Sequence, residues 1–160
     1  MAQFAVIGLG SFGATVALEL TRLKHDVIGI DTNKRNVENI SDQITHAVIA
    51  DATDEHVLDE LNIQNCDAVV VAIGEDIEAS ILCVLNLKNL GVEKILVKAK
   101  TKAHHTILSH LHVSKIIHPE EDRYDFGQAD EFVKFGEDKM ECILPDTALL
   151  GIHNLHSGSA

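Results

Sequence analysis

Gly8-Leu9-Gly10-Ser11-Phe12-Gly13 is the stretch on which the fold of this chain turns. It follows an apolar, β-rich run at residues 4–7 and opens a helical pattern over residues 12–23. In that setting each glycine has a task. Gly8 permits a tight turn, Gly10 lets the backbone come close to a pyrophosphate, and Gly13 lets the helix pack tightly on the strand. The N–H groups at the start of the helix point toward the same place and favour an anion. A glycine pattern alone is a weak signal. Here a second strand-like run ends at Asp31, 18 residues beyond Gly13, followed by Thr32. An acid at that point accepts hydrogen bonds from ribose hydroxyls and repels a 2′-phosphate. The expected ligand is therefore NAD or NADH, ADP or ATP, in preference to NADP. Lys34 and Arg35 lie just beyond and bring positive charge near that acid.

The pattern repeats outward from this stretch. Strand-like runs fall at residues 4–7, 27–30, 47–49, 68–73, 95–97 and 115–117. Helical segments fall between them at residues 12–23, 34–41, 55–61, 77–90 and 102–111. The strands are nearly continuous apolar runs, as parallel strands covered on both faces must be. Strand–helix–strand repeats make right-handed crossovers and an α/β, Rossmann-like doubly wound sheet. The expected strand order is 3-2-1-4-5-6, with ligand in the crevice where the order reverses. Asp54 reads as a helix N-cap and Gly91 as a helix C-terminal glycine. Gly29, inside the second strand, marks a close approach. Composition turns acidic and irregular after Pro119, which divides the chain into a nucleotide-binding domain at residues 1–121 and a C-terminal segment at residues 122–160.

Bulk composition narrows the function classes. The chain has 160 residues, 46% of them hydrophobic, which suits one domain with one core. Its net charge of −12 argues against nucleic acid or anionic lipid as partners. The three cysteines, Cys66, Cys83 and Cys142, are far apart and fit a reducing compartment; Cys83 reads as core. The first strand begins almost at once, without a secretory signal pattern, and no run is long enough to span a bilayer. The expected location is cytoplasmic, with any membrane association supplied by a partner.

Further candidates line up at the ends of the strands. Asp51 and Ala52 follow the third strand, near the adenine end of the pocket. Asp51 reads either as an adenosine contact or as a cap for the next helix. Ala72, Ile73 and Gly74 follow the fourth, where small residues allow close approach, and Lys98 ends the fifth. Of the ten histidines, His104, His105, His110 and His112 are close in sequence but lack ligand spacing, so no metal site is assigned and they read as polar surface residues of one helix. His118 and Glu120 follow the sixth strand and are candidates for ligand phosphates, ions or a neighbouring subunit. No catalytic residue is assigned. The single tyrosine, Tyr124, has Gln128 four residues on in place of lysine, so the pair common in small dehydrogenases is missing. Binding without turnover is the favoured reading. A small NAD-dependent oxidoreductase and a non-gating nucleotide-binding scaffold are the alternatives.

Several stretches together resemble one family. They are QFAVIGLGSFG at residues 3–13, THAVIADAT at 45–53, VAIG at 71–74, VKA at 97–99 and IIHPE at 116–120. This set is similar to the RCK/KTN (TrkA-N-like) domains, and especially to the KtrA-type regulatory subunits of bacterial potassium uptake systems. The resemblance implies an oligomer, a dimer that builds into a ring, beneath a membrane potassium channel or transporter. It implies NAD(H), ADP or ATP in the crevice, with Gly8, Gly10, Ser11, Phe12 and Gly13 at the phosphates and Asp31 and Asp51 at the adenosine. Glu120 matches an acid near the phosphates and the subunit contact, sometimes linked to a divalent cation. Two features depart from the family. Many relatives carry arginine where this chain has Ser11, which removes a positive charge from the phosphate site. Residues 122–160 do not follow the family's crossover helix and second subdomain.

Overall fold

A computed structural model describes residues 2–118 of the chain. The elements run β1 (Gln3–Ile7), α1 (Ser11–Arg22), β2 (Asp26–Asp31), α2 (Lys34–Glu38), β3 (His46–Ile49), α3 (Glu55–Glu60), β4 (Ala68–Val71), α4 (Ile77–Asn89), β5 (Ile95–Lys98), α5 (Lys102–His110) and β6 (Lys115–Ile117). All pairings are parallel, and the sheet order is β3-β2-β1-β4-β5-β6. This is the order expected from the sequence. The change of direction falls between β1 and β4, so the loops after these two strands diverge and leave a crevice above the sheet. The elements match expectation closely, except that β4 ends at Val71 and α2 at Glu38.

Alternation along β1 divides the core in two. Phe4 and Val6 face the side covered by α1 and α2, where Leu20, Val27, Val37 and Val70 join them. Ala5 and Ile7 face the side of α3, α4 and α5, with Leu58, Val71, Leu87, Ile95 and Leu108. Burial on both faces removes the polar alternation a one-sided strand would keep, which is why these strands read as apolar runs. Cys83 is fully buried in the second layer, and burial pushes its thiol up to about 12.

Local chemistry fixes the helix ends. The side chains of Asn33, Asp54, Asp76 and Thr101 each accept a backbone N–H at the start of α2, α3, α4 and α5. Gly91, at φ +83°, ends α4, with Gly91 N–H donating to Lys88 O and Val92 N–H to Leu87 O. At Gly29 the sheet is closely approached, since a Cβ there would lie 2.8 Å from the end of the Ile44 side chain and 3.0 Å from that of Leu9, and those side chains would have to shift to admit it.

One expectation is overturned. His104 does not lie on the surface; it is 1% exposed. Lys100 N–H donates to its Nδ1 at 3.0 Å, which makes Nδ1 the unprotonated nitrogen. Nε2–H therefore donates to the Ser80 hydroxyl at 3.1 Å. A partner across the helix pair, on α4, turns one histidine of an adjacent pair into the core. Burial first, and the positive potential of His118 second, hold His104 below its ordinary value of 6.5. Burial acts on His25 in the same direction. The unfolded chain then binds more protons than the folded one just below pH 6.5, so stability present above that pH is lost as pH falls through it. Denaturant unfolding at two pH values checks this: His104→Asn is expected to shrink the loss between pH 7.5 and pH 5.5, buffer values on the order of one unit either side of the imidazole range.

Candidate functional site

The crevice begins at the glycine loop. Gly8 sits at φ +94°, and a Cβ there would come within 2.8 Å of the Ala72 carbonyl. Its N–H donates to Ile30 O at 2.8 Å, which ties the loop to β2. At Gly13 a Cβ would lie 1.7 Å from Gly8 O, so α1 packs directly against the turn. Gly10 is different: a Cβ there would meet nothing within 4 Å. The protein itself does not require a glycine at that position. Space is left where the loop faces the crevice.

The N-terminus of α1 opens on the same space. No side chain caps its first turn and no acid lies in it. The other four described α-helices each have a side-chain cap. The N-terminal partial charge of α1 is thus left to solvent or to an anion. Asp31, at the end of β2, stands beside the loop. Its Oδ2 accepts the Leu9 N–H at 2.7 Å and the Asn36 side-chain amide at 3.2 Å. Its Oδ1 accepts the Asn33 N–H at 2.8 Å. The acid therefore shapes the loop as well as facing the crevice.

The opposite wall comes from β3, β4 and β5. Asp51 Oδ1 accepts the Thr53 N–H at 2.9 Å and the Thr53 hydroxyl at 2.6 Å. Those bonds, hydroxyl first, hold its carboxyl below the usual range. It closes a turn and is not the cap of α3, which is Asp54. Asn86 on α4 donates to Thr53 O at 2.7 Å and pins this turn from behind. The Lys98 ammonium lies 5.8 Å from the centre of the Phe12 ring and would sit 3.3 Å from a Cβ on Gly74. It faces the glycine loop across the crevice and is the one cation among the described lining residues.

These walls enclose about 640 Å³, within the range of small-molecule sites. Gly8, Gly10, Ser11, Phe12, Asp31, Thr32, Asp51, Ala52, Ala72, Ile73, Gly74 and Lys98 all line it. Gly13 stands behind the loop and does not line the crevice. Glu120, the domain boundary at residues 121 and 122, and Cys142 lie outside the described residues. Asn33, Asn36, Thr53, Glu75 and Asp76 line the crevice without having been singled out from the sequence. For Asn36 a signal existed. Asn33 caps α2, and a helix starting there brings the side chain at position 36 back toward Asp31. His105 Nδ1 stands 2.5 Å from His118 Nε2, with rings stacked at 4.8 Å and 19°. Nearly parallel rings place their lone pairs in separate planes, which does not suit a shared metal ion. Among the described residues no helix is long and apolar enough to cross a membrane.

Comparison with known proteins agrees with this architecture. Residues 4–119 match the TrkA-N domain family. The chain is 48% identical over 120 residues to Ktr system potassium uptake protein A of Bacillus subtilis (strain 168), covering 75% of this chain and 54% of that protein. It is 46% identical, with the same coverage, to Ktr system potassium uptake protein C of the same organism. The chain thus spans about half the length of the curated relatives it matches. Among solved structures, the NAD(P)-binding domain of an exopolyphosphatase-related protein from Archaeoglobus fulgidus superposes with a TM-score of 0.66 at 23% identity, over 88% of this chain and 98% of that one. The GsuK channel bound to NAD gives 0.63 at 16% identity, over 72% of this chain and 21% of that one. At such identities the likeness is one of fold. Sequence and fold together place the chain in the TrkA-N domain family.

Proposed function

We propose that this chain is a nucleotide-binding regulatory subunit that gates a membrane potassium channel or transporter through a ligand-dependent change in the shape of its oligomer. The observation that carries the reading is the meeting, in one crevice, of an uncapped helix N-terminus, an open glycine and a ribose-height acid. The names of the relatives, Ktr system potassium uptake proteins, supply the physiological setting. NAD or NADH is the favoured ligand, with ADP or ATP as competitors. Phosphates rest on Gly8, Gly10, Ser11 and Phe12 with Lys98 opposite. Asp31 and Thr32 hold the ribose, and Asp51 and Ala52 the adenine side. Ala72, Ile73 and Gly74 form the floor, and Glu120 meets the phosphates or a divalent cation at a subunit contact. The protein works in the cytoplasm, held at the inner face of the membrane by its partner.

The chemistry is binding. A ligand moves an oligomer between two shapes only if it binds one of them better. Potassium uptake by a deficient bacterial strain that expresses a membrane potassium-translocating subunit tests this. The full chain is expected to change uptake, and the Gly10→Ala variant is expected not to. Uptake that responds equally to both proteins favours a scaffold that gates nothing. Hydride transfer to a carbonyl substrate by the purified chain would contradict the reading outright.

A further inference from the structure

The geometry points to Asn36 as a specificity-determining residue that takes one ribose hydroxyl on its side-chain carbonyl while Asp31 takes the other. This rests on the nucleotide reading above and deepens it. An ionised carboxylate has about four lone-pair positions, two on each oxygen, and can only accept. Oδ2 of Asp31 uses both of its positions, on the Leu9 N–H at 2.7 Å and the Asn36 amide at 3.2 Å. Oδ1 uses one, on the Asn33 N–H at 2.8 Å. One position is left. A ribose diol brings two donors, so Asp31 can receive only one without giving up one of these three bonds, to the glycine loop or to the start of α2.

Asn36 supplies the missing acceptor. Because Asp31 only accepts, the edge of the amide that faces it is the NH2 group. The carbonyl oxygen is then on the other edge, and among the described residues nothing donates to it. The side chain is half-buried and lines the crevice with Asp31. Its backbone is held as well, since the Asn36 N–H donates to the Asn33 side chain at 3.2 Å in the cap of α2. Two acceptors, one charged and one neutral, thus stand together at the end of β2. A 2′-phosphate, which offers acceptors and negative charge, meets an acceptor at both.

Calorimetric titration of the full chain with ADP, 2′-deoxy-ADP and 3′-deoxy-ADP tests the assignment. Each missing hydroxyl is expected to weaken binding to the wild type by about 3- to 10-fold. Asn36→Ala keeps the Asn33 cap, because Asn36 contributes only its backbone there. It is expected to bind ADP about 3- to 10-fold more weakly and to lose discrimination against one deoxy analogue while keeping the other. If Asn36 acts only by orienting Asp31, all three ligands weaken by the same factor and both ratios persist; that result overturns the assignment while leaving the nucleotide site intact. A folded wild type that binds none of the three overturns the nucleotide reading itself, and this one with it.

Discussion

Gly13→Ala is expected to destabilise the chain by about 3 kcal/mol or more, at the upper end of overpacking costs, while Gly10→Ala leaves stability within about 0.5 kcal/mol of wild type and removes nucleotide binding. The two positions lie in one loop and differ by what surrounds them. A methyl group at Gly13 would sit 1.7 Å from the backbone oxygen of Gly8, roughly half an ordinary contact distance. No side chain can rotate away to relieve it. Either α1 withdraws from the sheet or the loop shifts, and the loop is itself held by Gly8 N–H on Ile30 O at 2.8 Å. At Gly10 the backbone is extended, with φ −69° and ψ −165°, which alanine adopts without strain. Its methyl group would enter open space, at a residue that lines the crevice. The structure tolerates it, and a phosphate approaching the loop does not. Urea unfolding and nucleotide titration of both variants check the contrast. Gly13→Ala with wild-type stability, or Gly10→Ala with wild-type affinity, would contradict the division of labour between these glycines.

Asp31→Ala is expected to lower affinity for NAD about 100-fold, near 2.7 kcal/mol, and to flatten the preference for NAD over NADP. Two effects combine. The direct one is loss of a charged acceptor for ribose, worth about 1.5–3 kcal/mol. The indirect one is release of the Leu9 N–H, which Asp31 holds at 2.7 Å and which sets the first turn of the glycine loop. The Asn33 N–H, at 2.8 Å, is released too and loosens the entry to α2. Stability is therefore expected to fall by about 1–2 kcal/mol, a smaller effect than that of Gly13→Ala because water reaches the vacated site. Paired titrations with NAD and NADP, with unfolding curves on the same protein, separate the two effects. An unchanged NAD to NADP ratio would remove Asp31 from the reading of the 2′ position.

What could be read from the sequence follows from what each residue type does alone. Val69, Val70 and Val71 are buried from both sides of the sheet, so β4 is apolar without a break and visible as a strand. Gly8 and Gly13 were visible because no other residue fits where they stand. Asp31 was visible by its distance from the loop. Asn86 and Thr53 were not, and Asn36 was so only through its place in the first turn of α2 behind the Asn33 cap. Each is a polar residue of ordinary surface composition whose role depends on its partner: Asp31 for Asn36, Asp51 for Thr53 and, from behind the crevice, the turn after β3 for Asn86. His104 was misread for the same reason. Beside His105 it looks like half of a polar surface pair, and the bonds that draw it inside, from the Lys100 N–H and to Ser80 on α4, 24 residues away, do not show in the helical pattern. Periodicity carries information about a residue's own element. It carries little about hydrogen bonds made across elements, and these complete the site.

The central claim is that the crevice at the end of β1 and β4 holds an adenine nucleotide. Calorimetric titration of the purified, ligand-stripped chain with NADH, NAD, ADP and ATP, with and without a divalent cation, tests it most directly. Micromolar binding of at least one of them to the wild type, abolished in Gly10→Ala, is the predicted result; with serine in place of arginine at position 11, ATP is expected to gain little over ADP. A folded wild type that takes up none of the four would contradict the claim and leave the domain a structural one.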